Sequence, residues 1–97
     1  MTLLVTVYKY LKNNELTHSA EHFSQEFLKK SRSWYAVQTH ENRDFSTSAA
    51  IECLRHIRLI LMQRKLNKRE DLLLEYVAQE LEHYLQRRLK VHGFVFF

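Results

Sequence analysis

Ninety-seven residues with 45% hydrophobic and 27% charged side chains have an ordinary globular balance, which excludes wholesale disorder and leaves room for one domain with a thin core. One glycine, Gly93, and no proline exclude sandwiches, barrels and glycine-cradled phosphate sites, since all of these need turn residues that the chain lacks. The net charge of +4 is concentrated, with most lysines and arginines in residues 29–70 between two mildly acidic flanks; such a block suits a polyanion such as nucleic acid, or is a solvated surface.

The expected fold is therefore all-α. Leu3, Leu4, Val7, Tyr8 and Leu11 recur at helical spacing and predict a first helix from Thr2 to about Asn13. Thr17 or Ser19 can cap a second helix, whose buried stripe is Ala20, Phe23 and Phe27, closed by Leu28. Lys29 and Lys30 follow. Ser31 then caps a short third helix, from Arg32 to about Thr39, with Tyr35 and Ala36 inward and Arg32, Ser33, Trp34, Gln38 and Thr39 pointing elsewhere. His40 to Phe45 reads as polar and irregular. Ser46 or Thr47 caps a fourth helix carrying Ala50, Ile51, Leu54, Ile57, Leu61 and Met62, with Arg64 and Lys65 at its negative end.

Asn67 to Glu70 is a capping-box pattern. It predicts a fifth helix running to about His92 and stopped by Gly93, with the aromatic tail Phe94 to Phe97 docked on the body or on a partner. The fifth helix carries more apolar surface than a four-helix body can cover. Leu73, Val77, Leu81, Tyr84 and Leu85 are accordingly expected to form a homodimer contact, the alternative being that the helix folds back within the monomer. This divides the chain into a core over residues 1–66 and a dimerisation element over residues 67–97, within one compact domain.

Signals for enzymatic chemistry are weak. Cys53 reads as a small buried apolar residue, although His56 lies three positions away on the same helix. His18 and His22 have the spacing of a metal-binding pair, without a further ligand nearby. No catalytic residue, cofactor, metal or small-molecule ligand is expected. A lone cysteine, no charged leader, and no apolar run approaching the roughly 18 residues of a membrane span together predict a cytoplasmic protein with no membrane partner.

The stronger pattern is the order of parts from residue 17 to residue 61. An aromatic-aliphatic helix meets a basic turn, then a short helix rich in groups that can bond DNA, a polar loop and a serine-capped apolar helix. This order suits a helix-turn-helix, whose second helix must enter a groove about 12 Å wide and present donors and acceptors near its N-terminal end. Arg32, Ser33, Gln38 and Thr39 can read base edges. Lys29, Lys30 and Arg43 can neutralise phosphates, and Ser31 opens the helix. Trp34 either lies in the groove or packs on the body.

The segment from Ser19 to Tyr35, continued by His40 to Ser46 and Ala49 to Leu54, resembles the lambda-repressor and Cro type of helix-turn-helix found in small bacterial and phage proteins. The resemblance covers about half the chain. It implies a homodimeric, sequence-specific regulator of transcription, a repressor in its simplest mode, acting on double-stranded DNA. The chain departs from the family's pattern at four points. Lys29 stands where the turn glycine would be, the second helix is one residue longer, Phe45 replaces a proline, and Glu41 falls two positions later than the family's glutamate. A shorter resemblance, over Val7 to Leu11 with Ala20, Phe23 and Glu26, is to the LisH motif. It implies a dimerising protein-interaction module without DNA binding.

Overall fold

Asp44 explains how the first helix is placed. In the computed structural model, which describes residues 1–63 and 68–90, α1 spans Leu3–Asn13. The Asp44 carboxylate accepts from the amides of Leu3 (3.1 Å) and Leu4 (2.8 Å), about forty residues away in sequence. Thr2 supplies the rest, its Oγ1 accepting from the Val5 amide and its carbonyl from the Thr6 amide. The amides of Leu3, Leu4 and Val5, which a helix start leaves without intrahelical partners, are thus satisfied, and Thr6 makes the first bond within the helix.

The remaining elements are α2 (Ala20–His22), which continues into a π-helical turn over Phe23–Phe27, then α3 (Trp34–His40), α4 (Thr47–Gln63) and α5 (Lys68–Leu89). These five helices contain no strand among the described residues. No helix there is long and apolar enough to cross a membrane. Ser19, not Thr17, caps α2, with its hydroxyl accepting from the His22 amide at 3.0 Å. Ser46, not Thr47, caps α4, through the Ala49 amide at 3.2 Å.

One apolar core joins all the long elements. Leu4, Val7 and Leu11 of α1 meet Phe23, Phe27 and Leu28, then Ala49, Ala50, Cys53, Leu54 and Ile57 of α4, and Leu74, Val77, Ala78, Leu81 and Leu85 of α5. Phe45, expected in a polar irregular stretch, is fully buried. Met62, expected inside, is exposed, because α4 turns that face away from the body. α5 folds back on α4, and the Arg58 guanidinium on α4 pairs with the Glu82 carboxylate on α5.

That packing corrects the expected dimer contact. Val77, Leu81 and Leu85 are covered within one chain, and Leu73 and Tyr84 are half-buried, with the Tyr84 hydroxyl donating to the Phe45 carbonyl at 2.6 Å. The apolar residues that α5 leaves outward are Leu72, Tyr76 and Leu89. The helix ends at Leu89, with Lys90 in the left-handed region (φ 56°). Asn67, Arg64, Lys65, Gly93 and the tail Phe94 to Phe97 lie outside the described residues, as does the 66/67 boundary.

Two predictions follow from this packing. Asp44→Ala leaves the α1 amides without their acceptor, and should lower stability by about 2 kcal/mol in urea denaturation; a loss under about 0.5 kcal/mol would mean that Asp44 does not hold α1. The His56 ring meets Phe27 edge-on, 4.3 Å between centroids, and burial first, then Lys29 and His22, lower its pKa below 6.5 despite Glu26. The unfolded chain therefore binds more protons, so stability should fall as pH drops from 6.5 through the lower folded value. His56→Gln should weaken this acid dependence in thermal melts, and identical pH profiles would contradict the assignment.

Candidate nucleic-acid interface

Ser24 sets the relation between the π turn and α3. It is fully buried, its hydroxyl accepts from the Tyr35 amide at 3.0 Å, and its carbonyl accepts from the Lys30 amide at 2.9 Å. One small polar residue thus fixes both sides of the connecting turn. The Tyr35 ring adds a second anchor, 4.6 Å from Tyr8 and 5.7 Å from Phe23 between centroids. Burial, with Tyr8 beside it, raises the Tyr35 hydroxyl pKa above its ordinary value.

Both departures in this segment have a structural counterpart. The Leu28 amide reaches back to the Phe23 carbonyl, five residues away, at 3.2 Å. This wider π turn takes up an additional residue within the helix. Lys29 has φ 56°, the left-handed conformation that a glycine would adopt without strain. Its neighbour Lys30 donates from Nζ to Ser48 Oγ at 2.9 Å and lies 5.9 Å from the Trp34 ring centroid.

The helix α3 begins two residues later than expected. Its N-cap position is Ser33, which makes no side-chain cap bond, so Ser31 does not open it. No residue of α3 is buried. Arg32, Ser33, Ala36, Val37 and His40 are exposed, with Val37 at 49%. Tyr35 packs inward as expected, whereas Ala36 faces out. Two expected base readers, Gln38 and Thr39, are otherwise engaged, and Trp34 takes the packed one of its two expected places. Gln38 Nε2 donates to the Asp44 carbonyl at 3.1 Å, Thr39 Oγ1 donates to the Tyr35 carbonyl at 2.9 Å, and Trp34 packs half-buried against the core. Sequence reasoning overlooked Ala36, Val37 and His40, although helical spacing from Ser33 would have found them.

Among the phosphate candidates, Lys29 and Arg43 are exposed and Lys30 is half-buried. Arg43 pairs with Glu41 at 3.4 Å, an exposed contact of small energetic weight. Glu21 lines the groove between α2 and α3 beside Arg32, Ser33 and Ala36, so the outward surface carries acid as well as base. On the opposite side of α3, a groove is lined by Lys30, Trp34, Gln38, Arg43, Ser46, Ser48 and Arg88. These side chains can donate several hydrogen bonds to an anionic ligand.

The other candidates lie apart from this surface. Cys53 is fully buried, and burial raises its thiol pKa, keeping it protonated. The His18 and His22 rings lie 4.2 Å apart, and His22 Nδ1 is hydrogen-bonded to Thr17 Oγ1 at 2.6 Å. No group of three or more potential ligands that could hold a metal occurs among the described residues.

No curated protein and no solved structure matches the chain. The family of unknown function DUF6626 matches residues 4–92, and the chain belongs to that family.

Proposed function

We propose that this protein is a helix-turn-helix regulator of transcription that binds double-stranded DNA, with α3 entering the major groove. The observation that carries the reading is the exposure of α3. A seven-residue helix with no buried residue is nevertheless held firmly, by the Ser24 hydroxyl and the Tyr35 ring, beside a basic turn. A helix anchored on one side whose other face, Ala36, Val37 and His40, is exposed is a presented surface.

On this reading the bases are met by Arg32, Ser33, Ala36, Val37 and His40. Arg32 can donate two bonds to guanine, and the small apolar Ala36 and Val37 suit the methyl group of thymine. Lys29, Lys30 and Arg43 neutralise phosphates. A homodimer would place two α3 helices about 34 Å apart on a two-fold operator. Such a dimer would use the outward residues Leu72, Tyr76 and Leu89 of α5 rather than its buried face. A chain of this kind represses most simply by occupying a promoter.

A second reading, a protein-interaction module without DNA binding, draws on those same exposed apolar residues. Its LisH form loses support, because Val7, Leu11 and Phe23 are buried within one chain and leave no apolar face there to share.

Selection of bound sequences from a random DNA pool tests the proposal. The wild type should enrich a defined motif. Arg32→Ala should relax preference at one position, by about 1–3 kcal/mol, while Lys30→Ala should weaken binding to all sequences alike. No enrichment by the wild type, or unchanged binding in both variants, would overturn the assignment.

A further inference from the structure

The fifth helix brings Arg88 to the groove beside α3. Glu80 and Glu82 are the acids that precede Arg88 most closely along α5, and both have other partners: Glu82 pairs with Arg58, and Glu80 with His83 and Tyr76. Arg88 lies over the Tyr84 ring, 5.6 Å from its centroid, and its Nη1 donates to the Phe45 carbonyl at 3.0 Å and to the Tyr84 hydroxyl at 2.6 Å. Both acceptors are neutral, so these contacts orient the guanidinium without cancelling its charge.

The groove collects three cations from separate parts of the chain. Lys30 comes from the turn, Arg43 from the loop before α4, and Arg88 from α5, with the hydroxyls of Ser46 and Ser48 between them. Neither Lys30 nor Arg88 takes part in an ion pair among those described, and Arg43 has only the exposed Glu41 contact. The one acid in the groove, Asp44, has its carboxylate engaged by the amides of Leu3, Leu4 and Phe45. Convergent cations, two of them outside the described ion pairs, favour a phosphate, and an arginine held in place on a ring and a carbonyl loses little freedom on binding one.

We infer that Arg88 is a DNA-backbone contact, clamping a phosphate of the duplex together with Lys30 and Ser48. This rests on the DNA-binding reading and extends it, because α5 then contributes to the interface as well as to the core. The clamp lies on the Asp44 side of α3, so it would fix how deeply that helix sits in the groove.

The test is a salt titration of binding to a mixed-sequence DNA duplex by the intact protein, with Arg88→Gln and Arg88→Lys beside it. Gln can still donate to the Phe45 carbonyl, and thermal melts of each variant establish that it is folded. Losing one phosphate contact should reduce the slope of log affinity against log salt by about 0.9 in Arg88→Gln. Between about 50 and 200 mM salt, this variant should then lose about 3-fold less affinity than the wild type. Arg88→Lys should keep the wild-type slope. A folded Arg88→Gln protein with an unchanged slope would overturn the clamp while leaving DNA binding standing. A wild type that fails to bind the duplex would overturn both.

Discussion

Three consecutive residues, Asp44, Phe45 and Ser46, hold this fold together. The Asp44 carboxylate caps α1, and its carbonyl takes the Gln38 side chain of α3. The Phe45 ring fills the core, and its carbonyl receives Tyr84 and Arg88 of α5. Ser46 caps α4. Four helices therefore register on one short stretch of backbone. A thin core benefits from such a knot, since polar groups with fixed directions select one arrangement where apolar contact alone would permit several.

The same stretch connects the fold to the proposed site. α3 is held at its start by Ser24 and Tyr35 and toward its end by Gln38 on Asp44. Its outward face is left with Arg32, Ser33, Ala36, Val37 and His40. Arg88 reaches the neighbouring groove because the Phe45 carbonyl draws it there. Stability and presentation thus share residues. Changes at Asp44 or Phe45 would disturb both, while changes at Arg32 or Val37 touch the surface alone.

Periodicity made the long helices legible. Leu4, Val7 and Leu11 mark α1, Leu54 and Ile57 mark α4, and Leu81 and Leu85 mark α5, because a buried face repeats every three or four residues. Ser19 and Ser46 were each legible as one of two candidate caps for a local reason, since each bonds an amide three residues ahead. The role of Asp44 was not legible, because its partners lie about forty residues away. Nor was the π turn, as a five-residue backbone bond leaves no composition signal. At the site, the basic turn and the exposure of Arg32 could be read from sequence. The inward commitment of Gln38 and Thr39 could not, because both bond backbone carbonyls that only the folded loop and helix supply.

The central claim is that the outward face of α3 meets duplex DNA. The most direct measurement is amide chemical-shift mapping by NMR while a mixed-sequence duplex is added to the labelled protein. The account predicts shifts concentrated at Arg32, Ser33, Ala36, Val37 and His40 and along the Lys29–Lys30 turn. Shifts confined to Leu72 and Tyr76 of α5, or no shifts at all, would contradict it.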